Sequence, residues 1–208
     1  MGGFYQERDD EFIDYEPWAL LENPIFRVRG PRLKKIDIKE GNYFSVLGAA
    51  ETFGVHADKP YGAILSMRLD LPCLNLGRGG VGPAFFCRHD YRGIIDYVNK
   101  GKFLILSFMS GRHSRNSLIE SPEGDVNSCI YNGEIMKADN AWQLIIEKYR
   151  DNKKFLKNLI LETRQTYVND YLQLIKLVAV PVILFYFSQR KPRYSINWKN
   201  KGIYSFLG

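Results

Sequence analysis

Short apolar runs alternate with helix-like segments through the middle of the 208-residue chain. The runs are almost continuous in apolar residues, which is typical of strands buried on both faces of a sheet. We predict four such strands, at Tyr43–Leu47, Pro72–Leu76, Lys102–Met109 and Val180–Phe187. Strands of this kind belong to parallel sheets, because the crossover helices that join parallel strands cover both faces.

The segments between these strands have the spacing of helices that bury one face. Apolar residues three and four positions apart predict helices at Lys59–Leu69, Pro83–Asn99 and Ala141–Leu177, the last in two pieces broken near Asp151 and Asn152. A proline in the first turn supports the start of the first two helices. The alternation predicts an α/β fold, a three-layer αβα sandwich with a mostly parallel sheet.

The two ends of the chain depart from this pattern. Residues 1–40 contain Pro17, Pro24 and Pro31, and prolines spaced so closely favour an extended N-terminal arm over a helix. We assign residues 41–208 to a single α/β domain. Only a basic stretch and a short apolar tail follow the fourth strand, and four strands make a small parallel sheet. We therefore expect the domain to be a C-terminally incomplete fragment that continues with a further strand or helix.

The topology also predicts where a ligand would bind. In open parallel sheets, ligands bind beyond the carboxyl ends of the strands. The candidate segments are residues 48–56, 77–83 and 110–117, with residues 188–193 as a fourth. The third segment opens a long polar loop that we expect at residues 110–138.

The net charge of +6 is unevenly distributed along the chain. Residues 7–22 are strongly acidic, whereas no acidic residue follows Asp170 and the remaining charges are all basic. Such a tail fits either an anionic partner or a solvated segment, and we favour the solvated segment because charge runs usually lie in solvent. No base-reading basic helix, RNP motif or zinc finger is found, so we expect no nucleic-acid partner.

The cysteines and the apolar runs indicate which cofactor sites and which cellular location to expect. Cys73, Cys87 and Cys129 form no C-x-x-C pair, so we expect neither a disulfide framework nor a zinc site. No spaced set of His, Asp and Glu predicts another metal, and we expect no cofactor. The longest apolar run, Val178–Phe187, is too short to cross a bilayer. With no secretory leader in the sequence, we expect a cytoplasmic protein without a membrane partner.

A glycine-rich turn follows the second predicted strand. Gly77-x-Gly79-x-x-Gly82 matches the dinucleotide fingerprint and lies between a strand and a helix, as that motif requires. The fingerprint also needs an acidic partner for the ribose, and the third predicted strand does not end in one. We therefore favour a tight turn with close backbone packing over nucleotide binding.

Three segments at the strand ends resemble the sequence blocks of the SGNH (GDSL-type) hydrolases. Gly48–Gly54, which reads G-A-A-E-T-F-G, resembles the first block, Gly-Asp-Ser-x-Thr-x-Gly. Asn75–Gly80 resembles the second block, which supplies an oxyanion-hole glycine, and Met109–Asn116 stands in the place of the third, Gly-x-Asn-Asp. This resemblance covers residues 43–187 and implies an SGNH- or flavodoxin-like sandwich. The chain is also similar to an uncharacterised bacterial family with Glu-Thr-Phe/Tyr-Gly after the first strand and Asn-Leu-Gly after the second.

The resemblance implies esterase or acyltransferase chemistry on acylated or carbohydrate substrates, but the key groups differ in this chain. Ala50 stands at the position of the nucleophilic serine, and Ala49 replaces the aspartate before it. An alanine side chain has no atom that can attack a carbonyl. No histidine follows His113, so the usual catalytic base is missing as well.

Other residues at the strand ends are the candidates for chemistry. We expect Glu51 to be the acid or base of an active site, with His113 as the second catalytic candidate. The resemblance implies that Gly80 and Asn116 stabilise an oxyanion. The guanidinium of Arg112 can hold a carboxylate or phosphate through two hydrogen bonds. The substrate-binding candidates are Thr52, Gly80, Arg112 and Asn116.

Most of these candidates also have a structural interpretation. Glu51 can cap the following turn or pair with Arg112, and Thr52 can hydrogen-bond the backbone. Arg112 and His113 can belong to a solvated polar loop, and Asn116 can stabilise its own turn.

Three functions remain open at this point. The first is an SGNH-like esterase or acyltransferase that acts on a small-molecule or carbohydrate substrate with an altered site. The second is a non-catalytic binding or scaffold module of the same fold. The third is a nucleotide- or phosphate-dependent transferase that uses the glycine turn.

Overall fold

The computed structural model describes residues 12–21 and 26–187, and strands alternate with helices through most of this range. The strands are β1 (Trp18–Leu21), β2 (Phe26–Val28), β3 (Phe44–Gly48), β4 (Cys73–Gly77), β5 (Leu104–Ser107), β6 (Ile119–Glu120), β7 (Cys129–Tyr131), β8 (Glu134–Met136) and β9 (Val182–Phe185). The helices are α1 (Lys35–Glu40), α2 (Ala50–Phe53), α3 (Tyr61–Leu69), α4 (Pro83–Phe86), α5 (Arg92–Lys100), α6 (Ala138–Lys148) and α7 (Lys153–Leu177).

Four of the strands form a parallel sheet in the order β4-β3-β5-β9. This confirms the prediction of an α/β fold with a parallel sheet, and each predicted strand overlaps one of these four. The chain runs from β3 to β4 on one side and then returns past β3 to β5. The reversal creates a switch point at the carboxyl ends of β3 and β5, which is where open α/β sheets bind ligands.

The described residues form two compact units. The first comprises the described residues of Met1–Gly79, His89–Phe108 and Ile175–Phe187, and the second those of Gly80–Arg88 and Met109–Leu174. The parallel sheet and its switch point belong to the first unit. The segment from Met109 through most of α7 belongs to the second unit.

Helix α3 covers one face of the parallel sheet. Its residues Tyr61 and Leu65 pack against a cluster of buried side chains from the strands. Gly62 allows this close approach, because a Cβ there would lie 2.9 Å from the Cys73 Sγ. The buried members of the cluster are Phe44, Val46, Cys73 and Ile105. Removing such apolar surface from water contributes about 25 cal/mol per Å² to stability.

The N-terminal arm contains regular structure that the proline spacing does not predict. β1 pairs antiparallel with β2, and the backbone of Arg29 then bridges to Asn75 of β4. Pro17 precedes β1 and Pro31 follows β2, so neither proline removes a hydrogen bond from the strand pair. Pro24 lies outside the described residues. The arm therefore shields part of the β4 edge.

The polar segment at residues 110–138 is not the continuous loop that we expected. It contains the three-stranded antiparallel sheet β6-β7-β8. These strands are two or three residues long, which is too short for an alternating pattern to be visible in the sequence. They share a core with α6 and α7, whose largest buried side chain is Trp142.

The predicted helices are confirmed in position but not in continuity. The helix expected at Pro83–Asn99 is divided into α4, a 3-10 turn at His89–Tyr91, and α5. The break expected near Asp151 and Asn152 is present, because α6 ends before it and α7 begins after it. There the Phe155 N–H donates to Asn152 Oδ1 at 3.1 Å, which caps the start of α7.

Apart from Lys176 in α7, the basic residues of the tail lie outside the described residues. The fourth candidate ligand segment, residues 188–193, and the expected continuation of the domain therefore stay predictions. Within the part of the chain that is described, no helix combines the length and the apolar character needed to cross a membrane.

Candidate functional site

The carboxyl ends of β3 and β4 are packed directly beneath α2. A Cβ at Gly48 would overlap the Thr52 hydroxyl and lie 2.7 Å from the Ser107 Cβ. A Cβ at Gly77 would overlap the backbone nitrogen of Phe53. Glycine is therefore required at both strand ends, because only a residue without a side chain lets α2 cross so close to the sheet.

Glu51 lies at the switch point of the parallel sheet. It stands in the first turn of α2, immediately after β3, and is partly buried. The hydroxyl of Ser107, the last residue of β5, donates to Glu51 Oε1 at 3.2 Å. Ser107 itself is fully buried. The two central strands thus hold one carboxylate at the edge where a ligand is expected.

Thr52 is enclosed behind this carboxylate. Its side chain is fully buried, and the hydroxyl of Tyr61 donates to its Oγ1 at 3.3 Å. Asn75 Nδ2 donates to the Thr52 carbonyl at 3.0 Å, while Asn75 Oδ1 accepts the Gly77 N–H at 2.9 Å. Burial raises the pKa of Tyr61 well above its usual value, so this phenol stays protonated. These contacts make Thr52 a support for the turn that carries Glu51.

Arg29 was not among the predicted site residues, although it stabilises the end of α2 and the loop that follows. Its guanidinium donates to the carbonyls of Phe53 (3.2 Å), Gly54 (2.5 Å), Ala57 (2.5 Å) and Asp58 (3.1 Å). The side chain also lies 4.7 Å from the centre of the Tyr15 ring, and the residue is only 3% exposed. A buried cation surrounded by backbone carbonyls holds the end of α2 and the following loop to the N-terminal arm. No repeat or motif in the sequence signals this role.

A cavity of about 300 Å³ lies beside Arg29. The N-terminal arm, the loop before α3 and α3 itself provide its walls, and Cys73 and Asn75 of β4 also line it. Asp14, Glu16 and Asp58 also line the cavity, and all three residues are exposed. Glu51 is not part of the lining, so the cavity is distinct from the switch-point carboxylate.

The other predicted residues belong to the second unit. In its glycine turn, Gly80 has a φ of +77°, and its carbonyl accepts the Val126 N–H at 2.8 Å. The Gly82 N–H donates to the Gly124 carbonyl at 3.0 Å. The turn is therefore joined by backbone hydrogen bonds to the segment that precedes β7.

The third candidate segment begins where the chain leaves β5. The Met109 N–H donates to the Tyr171 hydroxyl at 2.7 Å, and the Tyr167 hydroxyl donates to the Met109 carbonyl at 2.6 Å. The two rings contact each other edge-on. Two tyrosines one helical turn apart on α7 thus fix the first residue of this segment.

His113 is buried against the glycine turn. It is 2% exposed, and a Cβ at Gly82 would overlap its Nε2. Neither ring nitrogen has a hydrogen-bond partner among the described residues. Burial and the neighbouring Arg112 lower the pKa of His113 to about 4, while Asp125 partly opposes this effect. The imidazole is therefore neutral at pH 7 and enclosed rather than presented to solvent.

Arg112 and Asn116 both make bonds within their own unit. The Arg112 Nε lies 3.4 Å from Asp139 Oδ1, and the Arg112 carbonyl accepts the Trp142 Nε1–H at 2.7 Å. Asn116 Oδ1 accepts the N–H groups of Leu118 and of Ile119, the first residue of β6, both at 2.9 Å. Its Nδ2 donates to the Thr163 hydroxyl at 2.9 Å. Asn116 thus shapes its own turn and ties it to α7.

The predicted site residues fall into two groups. Glu51 and Thr52 lie together at the end of β3 in the first unit, and Arg112 and His113 are neighbours in the second unit. Gly80 and Asn116 also lie in the second unit. Gly80 is in the same turn as Gly82, the glycine that packs against His113. Within the described residues, no group of three or more His, Cys, Asp and Glu side chains is arranged to hold a metal ion.

A parallel sheet with a switch point defines an α/β protein of the open-sheet class. A family model described as "Domain of unknown function (DUF6473)" matches residues 4–120, which is more than half of the chain. The chain belongs to this family. The match contains all six candidate site residues, whereas α6, α7 and β9 lie beyond it. No curated protein and no solved structure matches the chain.

Proposed function

We propose that this protein binds a small hydroxyl-bearing molecule at the carboxyl ends of β3 and β5, with Glu51 as the hydrogen-bond acceptor for the ligand. The observation that carries the proposal is the hydrogen bond from the Ser107 hydroxyl to Glu51 Oε1 at the switch point. Ser107 orients the carboxylate and occupies one of its oxygens. A carboxylate has several acceptor sites, so Glu51 can accept the hydroxyl groups of a ligand besides that of Ser107.

Binding without covalent catalysis fits the side chains around this carboxylate. Ala49 and Ala50 provide no nucleophile before it, and the nearby Ser107 hydroxyl is fully buried, out of reach of a substrate carbonyl. Thr52 is likewise enclosed. The proposed role is that of the non-catalytic binding module, in an α/β domain whose strand-end segments resemble the SGNH sequence blocks.

A second candidate is an SGNH-like esterase or acyltransferase, favoured by the same oriented carboxylate. Here Glu51 would take a proton from water or from an acceptor hydroxyl, whose oxygen would then attack the ester carbonyl. The alcohol of the ester would leave and receive the proton. This chemistry needs no serine at position 50.

The transferase that uses the glycine turn has less support. Phosphate binding at such a turn depends on backbone N–H groups that point at the ligand. The N–H of Arg78 donates to the Gly48 carbonyl, and that of Gly82 donates to the Gly124 carbonyl. Two amides of the turn are therefore used within the protein.

Ligand-observed NMR with a library of neutral fragments that carry hydroxyl or ester groups tests the binding proposal. We expect at least one fragment to bind the wild-type protein, and Glu51→Ala to weaken that binding about tenfold or more, as expected for a central contact. Glu134→Gln, at an exposed position in β8, is the control and should bind like the wild type. Fragment binding that is unaffected by Glu51→Ala would contradict the proposal.

Hydrolysis of p-nitrophenyl acetate separates binding from catalysis. For a binding protein, we expect the wild-type rate to equal that of buffer, and Ala50→Ser alone not to create activity, because no histidine base accompanies the new hydroxyl. Turnover by the wild type that disappears in Glu51→Gln would favour the enzyme instead.

A further inference from the structure

Helix α7 carries a second row of apolar side chains besides its buried face. On the buried face, Leu159 and Ile160 pack in the core of the second unit. Successive residues of a helix are rotated by about 100°, which places Leu161, Val168 and Leu172 on nearly the opposite side. These three large side chains are 47 to 52% exposed. All five residues belong to the second unit, so the exposed row is a feature of that unit alone.

The spacing of the exposed row is that of a contact between two helices. Leu161, Gln165, Val168 and Leu172 follow one another in steps of four, three and four residues, which is the alternation of the d and a positions of a heptad. We call these four residues the α7 stripe. Leu161 and Val168 take d positions, and Gln165 and Leu172 take a positions. A helix with the same spacing fits this stripe, because each a or d side chain inserts between residues of the facing helix.

Gln165 is the polar member of the α7 stripe and indicates which helix fits. Its side chain is exposed, and its Nε2 donates to Asn169 Oδ1 at 3.1 Å. A polar residue at an a position favours a partner with a polar residue in the same layer, because an apolar neighbour would remove water from the amide without replacing the hydrogen bonds. A parallel, in-register copy of α7 places a second Gln165 in this layer.

The charges beside the α7 stripe are complementary in the same arrangement. Lys157 and Glu162 are exposed and take a g position and the next e position of the heptads. In a parallel, in-register pair, each g residue faces the following e residue of the other helix. Lys157 then meets Glu162 of a second copy, and the two-fold symmetry repeats this ion pair. Glu162 also accepts the Ser117 hydroxyl at 2.9 Å, and a carboxylate can accept further donors.

An antiparallel pair of the same helices lacks this complementarity. With the a and d layers kept in contact, Glu162 would face Asn169 of the second copy, and Arg164 would face Tyr171. Neither pairing joins opposite charges. Gln165 would share its layer with the apolar Val168. The polar layer and the flanking charges therefore both favour the parallel arrangement.

We propose that a second copy of this chain docks on the α7 stripe, with the two α7 helices parallel and in register. Each subunit contributes three large apolar side chains, which is little for a protein interface, so we expect a reversible dimer with a dissociation constant on the order of 10 µM. This inference does not depend on the ligand proposed for Glu51. It adds an interaction surface in the second unit and the partner that fits it.

Sedimentation velocity across the micromolar range tests whether the α7 stripe forms a dimer. We expect the dimer fraction of the wild type to increase with concentration, and Val168→Glu to weaken the association about tenfold or more, because two carboxylates would then face each other in one layer. Gln173→Glu adds the same charge at an exposed position of α7 outside the stripe and should dimerise like the wild type. Leu172→Gln is a second variant of the stripe, and thermal unfolding verifies that each variant is folded.

Two further measurements test the orientation of the helices. Oxidation of Gln165→Cys should link two chains through a disulfide, because an in-register pair brings both copies of this residue together, whereas Gln173→Cys should not cross-link. Lys157→Glu should weaken the dimer, and the double variant with Lys157→Glu and Glu162→Lys should restore it. This restoration is specific to a direct pairing of the two charges.

Three results would overturn the inference. The first is a wild-type protein that stays monomeric throughout the micromolar range. The second is a dimer that neither Val168→Glu nor Leu172→Gln weakens, which would place the interface elsewhere. The third is a dimer that these variants weaken but in which Gln165→Cys does not cross-link and the exchanged charges do not restore association, which would exclude the parallel, in-register arrangement.

Discussion

His113 is buried, and neither of its ring nitrogens has a hydrogen-bond partner in the part of the chain that the structure describes. His113 has a pKa of about 4 in the folded protein, against an ordinary value near 6.5 when the chain is unfolded. The unfolded chain therefore takes up the proton first as the pH falls. The contribution to stability is fully present above about pH 6.5 and is lost progressively as the pH falls to about 4.

We predict that this loss amounts to about 3 kcal/mol of unfolding free energy between pH 7 and pH 4. Urea unfolding at several pH values measures it. The dependence should weaken in His113→Gln and persist in His89→Gln, which changes an exposed histidine. An NMR titration of the wild-type imidazole provides a direct check, and a His113 midpoint near 6.5 would contradict the prediction.

Asn116 makes the contacts that its structural interpretation predicted from the sequence. Two of its side-chain hydrogen bonds organise the turn before β6, and a third ties Asn116 to Thr163 of α7. Its role as an oxyanion donor stays a prediction. We predict that Asn116→Ala lowers the unfolding free energy by about 2 kcal/mol, because two backbone N–H groups lose their acceptor.

Chemical denaturation of Asn116→Ala against the wild type measures this change. Asn140→Ala, at an exposed position in α6, is the matched control and should stay within about 0.5 kcal/mol of the wild type. A variant of Asn116 as stable as the control would show that the turn does not depend on this side chain.

At the scale of elements, Arg29 joins the N-terminal arm to the turn that carries Glu51. Replacing it with methionine would leave four carbonyls without the donor that they share. We predict a loss of about 3 kcal/mol or more in unfolding free energy for Arg29→Met. Arg29→Lys should recover only part of it, because an ammonium group cannot reproduce the planar fork of the guanidinium.

Thermal and denaturant unfolding of these two variants provide the measurement, with Arg68→Met on the exposed side of α3 as the control. Equal stability of Arg29→Lys and the wild type would show that charge alone is sufficient. If Arg29→Met does not fold, the difference in unfolding free energy between Arg29→Lys and the wild type still tests whether the planar guanidinium is needed.

The elements themselves were predictable to different degrees. The long apolar runs predicted the strands of the parallel sheet, and the apolar spacing predicted α3, α5, α6 and α7, because these elements bury whole faces and so repeat at a regular period. The pair β1–β2 and the small sheet β6-β7-β8 were missed. Their strands are only two to four residues long, and their positions depend on contacts with distant segments.

For the whole molecule, the sequence by itself determined the α/β class, the parallel sheet and the position of Glu51 just after the first long strand. Local pattern is sufficient for these features, because burial on both faces requires apolar runs and the crossover helices require regular spacing. The tertiary structure alone decided that Ser107 orients Glu51, that His113 is enclosed and neutral, and that Asn116 is tied to Thr163 of α7. Each of these depends on residues far apart in the chain, whose meeting and desolvation are properties of the folded state.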